Sequence, residues 1–165
     1  MAAGRFDLHG RIAFITGSSK GVGYAIADGF AEAGAHVVLN GRNADANEAA
    51  RSELAAKGYR VDVMTFDVTD PAAVSDAIGR IESDIGPIDI LVNNAGIQRR
   101  GPMIDVTSET WREVMAINLD AVFFVGQAVA RRMIPRGRGK IINICSLMSE
   151  LARNTIAPYT AAKGG

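Results

Sequence analysis

Short apolar runs alternate along the chain with longer segments in which apolar residues recur every three or four positions. A continuous apolar run is typical of a buried strand, and the wider spacing is typical of an amphipathic helix. Apolar strands that alternate with helices indicate a parallel sheet covered by helices on both faces. The predicted strands are 12–15, 36–39, 60–66, 88–92 and 140–145, and the predicted helices are one from 21, one over 46–57, one from 71 and a long one through 111–122.

Right-handed crossovers between these strands favour a Rossmann-type, doubly wound α/β fold with three layers, α/β/α. A chain of 165 residues is the size of one ordinary domain, so we expect a single domain over residues 1–165. The pattern stops after the fifth strand and the start of the following helix. We therefore expect a C-terminally incomplete version of the fold, whose fifth strand is an unpaired apolar edge.

The same spacing predicts how each helix begins and which of its faces is buried. Asp70 is the expected N-cap of the third helix, and Pro71 suits its first turn because that position needs no backbone N–H. Three apolar stripes are predicted to face the core. They are Val22, Ala25, Ile26 and Phe30 in the first helix, Val74, Ala77, Ile78 and Ile81 in the third, and Trp111, Val114, Met115, Asn118, Leu119 and Val122 in the long helix.

Composition narrows the class of protein. Hydrophobic residues make up 48% of the sequence and charged residues 22%, which supplies enough apolar surface for a core. The formal net charge is zero, so we expect neither a nucleic-acid partner nor a membrane surface. Residues 1–10 lack the apolar core of a signal peptide, and the apolar runs are too short to span a bilayer. These features favour a cytoplasmic setting.

Cysteine and histidine offer little chemistry of their own. Cys145 is the single cysteine, which excludes an internal disulfide and disfavours a zinc site. Within an apolar strand it is expected to be a small buried hydrophobe. His9 and His36 have no partners at metal-ligand spacing, so no metal is predicted.

A glycine-rich segment follows the first strand directly and opens the first helix. It reads Thr-Gly-Ser-Ser-Lys-Gly-Val-Gly over residues 16–23. Glycines at such a turn let the backbone approach a pyrophosphate, and the helix N-terminus adds free N–H groups. The predicted cofactor contacts here are Gly17, Ser19, Lys20, Gly21, Val22 and Gly23.

The end of the second strand indicates which dinucleotide is bound. An acidic residue there usually grips the ribose 2′-hydroxyl of NAD, but this chain has Asn-Gly-Arg-Asn over 40–43. Arg42, together with Lys20, suits a 2′-phosphate because a guanidinium pairs with it bidentately. We therefore predict NADP rather than NAD; the alternative is that both residues are solvated surface cations.

Four motifs in order then identify a family. The glycine segment, Asn-Asn-Ala-Gly over 93–96, a serine after the fifth strand, and Tyr159-x-x-x-Lys163 together resemble the short-chain dehydrogenase/reductase superfamily, across essentially the whole chain. The resemblance implies an NAD(P)-dependent oxidoreductase. It also implies a homo-oligomer, commonly a tetramer formed through the two helices that flank the active site.

The resemblance carries a catalytic set onto four residues. Tyr159 would be the general acid in ketone reduction and the base in alcohol oxidation, with Lys163 one helical turn away on the same face. Ser146 would hydrogen-bond the substrate oxygen. Asn118 would anchor a water in the proton relay to Lys163, or else be a core amide bonded to backbone.

The resemblance also implies a wall for the cofactor. Asn93, Asn94, Ala95 and Gly96 would shape it. Asp67 would meet the adenine amino group, with Val68 beside the ring. The alternative for Asp67 is a turn aspartate that binds nearby amides.

Two stretches narrow the substrate. Residues 95–103, which contain Arg99 and Arg100, and residues 139–151 are similar to gluconate 5-dehydrogenases. A sugar-acid carboxylate suits an arginine fork, so Arg99 or Arg100 is the candidate ligand, with Ser146 and Tyr159 at the substrate oxygen. The alternatives are a 2-deoxygluconate 3-dehydrogenase, a 3-ketoacyl-carrier-protein reductase, or a nucleotide-binding module without turnover. Because the tyrosine helix is cut short, we expect the isolated 165-residue chain to be inactive or nearly so and prone to associate.

Overall fold

A five-stranded parallel sheet forms the centre of the computed structural model, which describes residues 6–165. The strand order is β3-β2-β1-β4-β5. The chain therefore moves outward from β1 to β3 and then crosses to the other side of β1, so the predicted doubly wound α/β topology is confirmed. The strands are β1 (Ile12–Ile15), β2 (His36–Gly41), β3 (Val61–Thr65), β4 (Ile88–Asn93) and β5 (Lys140–Asn143).

Helices cover both faces of this sheet. They are α1 (Gly21–Glu32), α2 (Ala44–Ala56), α3 (Pro71–Arg80), α4 (Ser108–Met115), α5 (Ala121–Met133) and α6 (Ala157–Gly164). A π-helical turn, Ala116–Asp120, joins α4 to α5 in one continuous helix. A second π-helical turn, Ile81–Ile85, extends α3, and short 3-10 turns occupy Met103–Asp105, Ile134–Arg136 and Leu147–Ser149. Residues 1–5, half of the N-terminal segment that lacks the apolar core of a signal peptide, lie outside the described part.

The alternation of side chains along β1 builds two separate cores. Ile12 and Phe14 point to the face that α3 and α5 cover, and Ala13 and Ile15 point to the face that α1 and α2 cover. Phe14 and Ile15 are completely buried. Burial of each such large apolar side chain stabilises the fold by about 1.5–3 kcal/mol.

Helix α3 begins as the sequence predicts. The Asp70 carboxylate accepts hydrogen bonds from the backbone N–H of Ala72 at 2.9 Å and of Ala73 at 3.2 Å. Pro71 occupies the first turn. The predicted stripe is confirmed as well, because all four of its residues are buried: Val74, Ala77, Ile78 and Ile81.

The predicted stripe of α1 is wrong in part. Val22 and Ala25 are exposed. A Cβ on Gly23 would lie 2.4 Å from the carbonyl oxygen of Gly17, so contact with the glycine loop fixes which side of α1 faces inward. The buried residues are Gly23, Ala27 and Ala31, with Ile26 and Phe30 half-buried.

Trp111 was expected in the core, and this is wrong, since it is 43% exposed. The π-helical turn at Ala116–Asp120 adds a residue to one turn of the long helix, which shifts the phase of the apolar stripe. Val114 of α4 and, within the turn, Ile117 and Asn118 are the residues that become buried. Met115, Leu119 and Val122 are half-buried.

The fifth strand forms an edge of the sheet, as expected. Among residues 6–165 it pairs only with β4, and its residues Ile141 and Ile142 are 42% and 41% exposed. Cys145, which follows this strand, is exposed too. The expectation that it is a buried hydrophobe is therefore wrong, because nothing in the described part of the chain covers this edge.

The long helix corrects a further expectation. Ser108–Arg136 is continuous over 29 residues and is long and apolar enough to cross a membrane by length and composition alone. The expectation that every apolar segment is too short is therefore wrong on length. Its residues Val125 and Val129 are buried in the core together with α3, and 33% of its most apolar stretch is buried.

Replacement of Asp70 by Ala is expected to lower the free energy of unfolding by about 1 kcal/mol, because two N–H groups of α3 lose their acceptor. Urea denaturation followed by circular dichroism measures this change. Asp70→Asn is the matched control, since it keeps an acceptor and loses only the charge. An Ala variant as stable as the Asn variant would contradict the capping role.

Candidate functional site

A cleft of about 660 Å³ opens at the carboxyl ends of β1, β2 and β4, where the strand order reverses. Most residues predicted to contact a cofactor line it: Gly17, Ser19, Lys20, Gly21, Val22, Gly23, Arg42, Asp67, Val68, Asn94, Ala95 and Gly96. Asn93, Tyr159 and Lys163, which the resemblance also places at the cofactor, do not line this cleft. Further lining residues were not predicted from the sequence, namely Asn40, Gly41, Asn43, Ala46, Phe66, Ile97 and Ile117.

The backbone of the glycine loop passes so close to Ala95 that a side chain at position 17 does not fit. Gly17 has a φ of +61°, and a Cβ there would lie 2.8 Å from the Cα of Ala95. Helix α1 starts at Gly21, and the side chain of its N-cap residue Lys20 makes no capping bond. The first N–H groups of α1 thus face the cleft without a side-chain cap, and they fit a pyrophosphate.

Thr16 and Asn94 connect the loop to the opposite wall. The Thr16 hydroxyl accepts hydrogen bonds from the N–H of Asn94 and of Ala95, both at 3.0 Å. In return the Asn94 amide donates to the carbonyl oxygens of Thr16 and Gly17 at 3.0 and 2.9 Å. Thr16 is a buried hydroxyl at the end of an apolar strand, which is the signal that could have identified this role.

Asn40 makes a second connection from the glycine loop, and this role was not predicted from the sequence. Its side chain is buried, and its oxygen accepts a hydrogen bond from the N–H of Gly17 at 3.3 Å. Its amide donates to the carbonyl oxygens of Met64 and Phe66 at 3.1 and 3.2 Å. One side chain thereby joins the glycine loop to the end of β3.

Arg42 and Asp67 form a loose ion pair at the far end of the cleft. The Arg42 guanidinium lies 3.7 Å from one carboxylate oxygen of Asp67. The other oxygen accepts hydrogen bonds from the N–H and hydroxyl of Thr69 at 2.9 and 2.8 Å, as in a turn aspartate. Partial burial alone would raise the pKa of Asp67, but the bonds from Thr69 and the charge of Arg42 together lower that pKa below its ordinary value.

A smaller cavity, of about 250 Å³, adjoins the cleft through Asn94, Gly96 and Ile97. Tyr159 and Lys163, one turn apart on α6, line it together with Asn118. The Lys163 Nζ lies 5.9 Å from the centre of the Tyr159 ring. It also donates a hydrogen bond to the carbonyl oxygen of Ile144 at 2.8 Å, which fixes the end of a flexible side chain.

Ser146 does not line this cavity, although Cys145 beside it does. Its hydroxyl accepts a hydrogen bond from the N–H of Met148 at 3.2 Å and caps a 3-10 turn. The hydroxyl of Ser149, in the same turn, donates to the carbonyl oxygen of Lys163 at 2.7 Å. The turn that carries Ser146 is therefore attached to the helix that carries Lys163.

The side-chain amide of Asn118 makes hydrogen bonds to backbone groups of Ile97 and Val114. Its Nδ2 donates to the carbonyl oxygens of Ile97 and Val114, both at 2.9 Å, and its Oδ1 accepts from the N–H of Ile97 at 3.3 Å. These bonds match the core-amide alternative, and they place the side chain at the edge of the cavity that Tyr159 lines.

The two arginines differ in their partners. Arg99 makes a bidentate ion pair with Glu113, through Nε at 3.0 Å and a terminal nitrogen at 2.7 Å. Within residues 6–165, Arg100 donates only to the neutral side chain of Gln98, at 3.2 Å, and Gln98 lines the smaller cavity. The guanidinium of Arg100 is thus the less engaged of the two.

Asn93 does not form the cleft wall, contrary to expectation. Its amide donates to the side-chain oxygen of Asn143 at 3.0 Å and so joins β4 to β5. Successive side chains of a strand point to opposite faces, so Asn93 and Asn94 cannot both face the cleft.

The chain is similar in sequence and structure to known proteins. The family model described as short chain dehydrogenase matches residues 11–165. The chain is 58% identical to a gluconate 5-dehydrogenase of Gluconobacter oxydans over 96% of this chain and 62% of that protein. It is 46% identical to a 5-keto-D-gluconate 5-reductase of Escherichia coli over 96% of this chain and 63% of that protein.

A solved structure is also similar. It is a gluconate 5-dehydrogenase from Burkholderia cenocepacia in complex with NADP and tartrate, with a TM-score of 0.94 and 53% identity over 99% of this chain and 64% of that one. The chain thus spans a little under two thirds of the length of these relatives.

Replacement of Asp67 by Asn is expected to flatten the dependence of stability on pH in acid. The folded-state pKa of Asp67 lies below its unfolded value, so ionised Asp67 stabilises the fold above the unfolded pKa, and this contribution is lost as the pH falls through the folded pKa. Urea denaturation at about pH 6 and at successively lower pH from about pH 4 downward follows that loss. Asp76→Asn, at an exposed site on α3, is the control. An Asp67→Asn variant as acid-sensitive as the native chain would contradict the assignment.

Proposed function

Because the chain belongs to the short chain dehydrogenase family, we propose that it transfers hydride between NADP(H) and a sugar acid, interconverting gluconate and 5-ketogluconate. The observation that carries the proposal is the position of Tyr159 and Lys163, in a cavity that opens into a cleft shaped for a dinucleotide. The relatives that interconvert alcohol and ketone on gluconate support the choice of substrate.

The cleft residues suit NADP at both of its charged parts. The uncapped N-terminus of α1 receives the pyrophosphate, and the loop around Gly17 allows close approach. Arg42 receives the 2′-phosphate, a bidentate partner that replaces its loose contact with Asp67. The cofactor, when bound, supplies or accepts the hydride. The relative solved with NADP supports this assignment.

Tyr159 moves the proton. In the reductive direction its hydroxyl gives a proton to the carbonyl oxygen while hydride adds to the carbon, and in oxidation the phenolate takes the proton back. The ammonium of Lys163 lies 5.9 Å from the centre of the Tyr159 ring, so a positive charge stands beside the group that exchanges the proton. The bond from Lys163 to the Ile144 carbonyl keeps this charge in place.

Ser146 and Asn118 prepare the reacting groups. The Ser146 hydroxyl accepts its bond from Met148, so its own proton remains available for the substrate oxygen, where it stabilises developing negative charge. Asn118 is fixed by its bonds to the backbone of Ile97 and Val114, and it forms the edge of the cavity that Tyr159 and Lys163 line.

We also propose that copies of this chain associate as a homo-oligomer in the cytoplasm. Exposed aromatic side chains lie along the long helix, where Trp111 is 43% and Phe123 61% exposed. Large exposed apolar groups on one helix support an interface between subunits, because water contact with such groups is unfavourable. The two helices expected to flank the active site are this helix and α6.

Replacement of Tyr159 by Phe is expected to lower the turnover rate by a factor of about 100 or more, because general acid-base catalysis contributes at least that factor. Initial rates of the protein at its natural full length, with 5-ketogluconate and NADPH or NADH, measure it. Nucleotide affinity is expected to stay unchanged, since the ring is retained. Cofactor binding without turnover in the unsubstituted protein would indicate a nucleotide-binding module, and turnover only on acyl thioesters or deoxyketogluconates would indicate one of the other enzymes.

Replacement of Arg100 by Ala is expected to raise the KM for 5-ketogluconate about tenfold, with little change in kcat, because a charged hydrogen bond to the carboxylate is lost in ground and transition states alike. Arg99→Ala is the matched control and is expected to have a smaller effect, since Glu113 already occupies the Arg99 guanidinium. An equal or larger effect at Arg99 would assign the carboxylate to that residue instead.

A further inference from the structure

Position 41 carries no side chain at the point where the selectivity for the dinucleotide is decided. Gly41 ends β2 at the rim of the cleft, next to Arg42. In NAD-selective folds of this type, a carboxylate at the end of the second strand holds the ribose 2′-hydroxyl. The backbone of Gly41 is ordinary strand paired with Thr65, and its φ is not in the left-handed region. The local backbone therefore does not require glycine.

The requirement comes from Asn47 on α2. A Cβ on Gly41 would lie 2.5 Å from the side-chain oxygen of Asn47 and 3.4 Å from its Cγ, with the Ser19 hydroxyl at 3.3 Å. Carbon and oxygen atoms repel strongly at the first of these distances. Any residue larger than glycine at position 41 therefore demands that Asn47 move.

Asn47 is held firmly in this position. Its side chain is completely buried, and its amide nitrogen donates to the carbonyl oxygen of Gly41 at 3.0 Å and to the hydroxyl of Thr65 at 2.8 Å. Rotation of the amide would break both bonds inside the protein, where an unpaired polar group is costly. The chain thus anchors the nitrogen and directs the oxygen at the missing Cβ.

The oxygen itself has no hydrogen-bond partner among residues 6–165. A buried acceptor without a partner destabilises a fold and calls for a reason. Here the Asn47 oxygen occupies the space that a side chain at position 41 needs, and this excludes a carboxylate at position 41. Arg42, the next residue, lines the cleft with no carboxylate at 41 to repel a phosphate.

From this geometry we infer that Asn47, from behind the cleft wall, restricts position 41 to glycine and so keeps out the carboxylate that would favour NAD. Asn47 does not line the cleft, so it is a positioning residue and acts through Gly41. The inference rests on the proposed use of NADP, which it explains in steric terms.

A double-mutant cycle tests the steric part, with melting temperature as the readout. Gly41→Ala adds only a Cβ, and it is expected to lower the melting temperature of the native protein. In the Asn47→Ala background the same change is expected to cost much less, because the opposing oxygen is gone. Equal losses in both backgrounds would overturn the inference, whether or not any nucleotide binds.

Calorimetric titration with NADP and with NAD tests the selectivity part. We expect the native protein and Asn47→Ala to prefer NADP, since Gly41 and Arg42 are retained. Gly41→Asp combined with Asn47→Ala is expected to shift the ratio of the two Kd values toward NAD by about tenfold or more, the size of one charge-assisted hydrogen bond. Gly41→Asp alone is expected to shift the ratio less and to lower the melting temperature.

The outcomes separate the two proposals. A native protein that binds neither nucleotide would sink the proposed function and this inference together. A native protein that prefers NADP, with Gly41→Asp alone as stable as the native chain and as NAD-selective as the double variant, would sink only the inference. A folded double variant that retains the native preference for NADP would do the same.

Discussion

The close contact between the backbone of Gly17 and that of Ala95 is the constraint on which the rest of the site depends. It brings the loop after β1 against the loop after β4, at the place where the sheet reverses its order. Thr16 and Asn94 lock the contact with four hydrogen bonds, and Asn40 joins the same loop to the end of β3. The cleft therefore has a rigid floor, and preorganised N–H groups need little further ordering when a ligand binds.

Much of this arrangement is predictable from the sequence, because it follows from strong local signals. The strands follow from apolar runs, the start of α3 from Asp70 and Pro71, and the cleft residues from glycine spacing next to a strand. These features depend on neighbours within a few positions. The structure brings the predicted residues of the glycine loop together for that reason, whereas Asn93 turns away from the cleft toward Asn143.

The failures have a different physical origin. Val22 points outward because the packing of Gly23 against the glycine loop sets the phase of α1. Trp111 is exposed on a helix whose buried face is formed by Val114, Ile117 and Asn118. The pairing of Arg99 with Glu113 depends on the approach of α4 to the loop before it, and no periodicity encodes that approach. The roles of Thr16, Asn40 and Asn47 depend on hydrogen bonds between distant segments, so the sequence alone did not reveal them.

Lys163 of α6 is held by hydrogen bonds that lead through Ile144 to the sheet. The carbonyl oxygen of Ile144 receives the Lys163 ammonium, and the N–H of the same residue donates to the carbonyl oxygen of Asn93 in β4. The side chain of Lys163 would otherwise sample many rotamers, and these bonds fix its end relative to β4. A slip of this last pairing by one residue would reverse the direction of the carbonyl that holds the ammonium. The register of two strands thus sets where a single positive charge stands beside the Tyr159 ring.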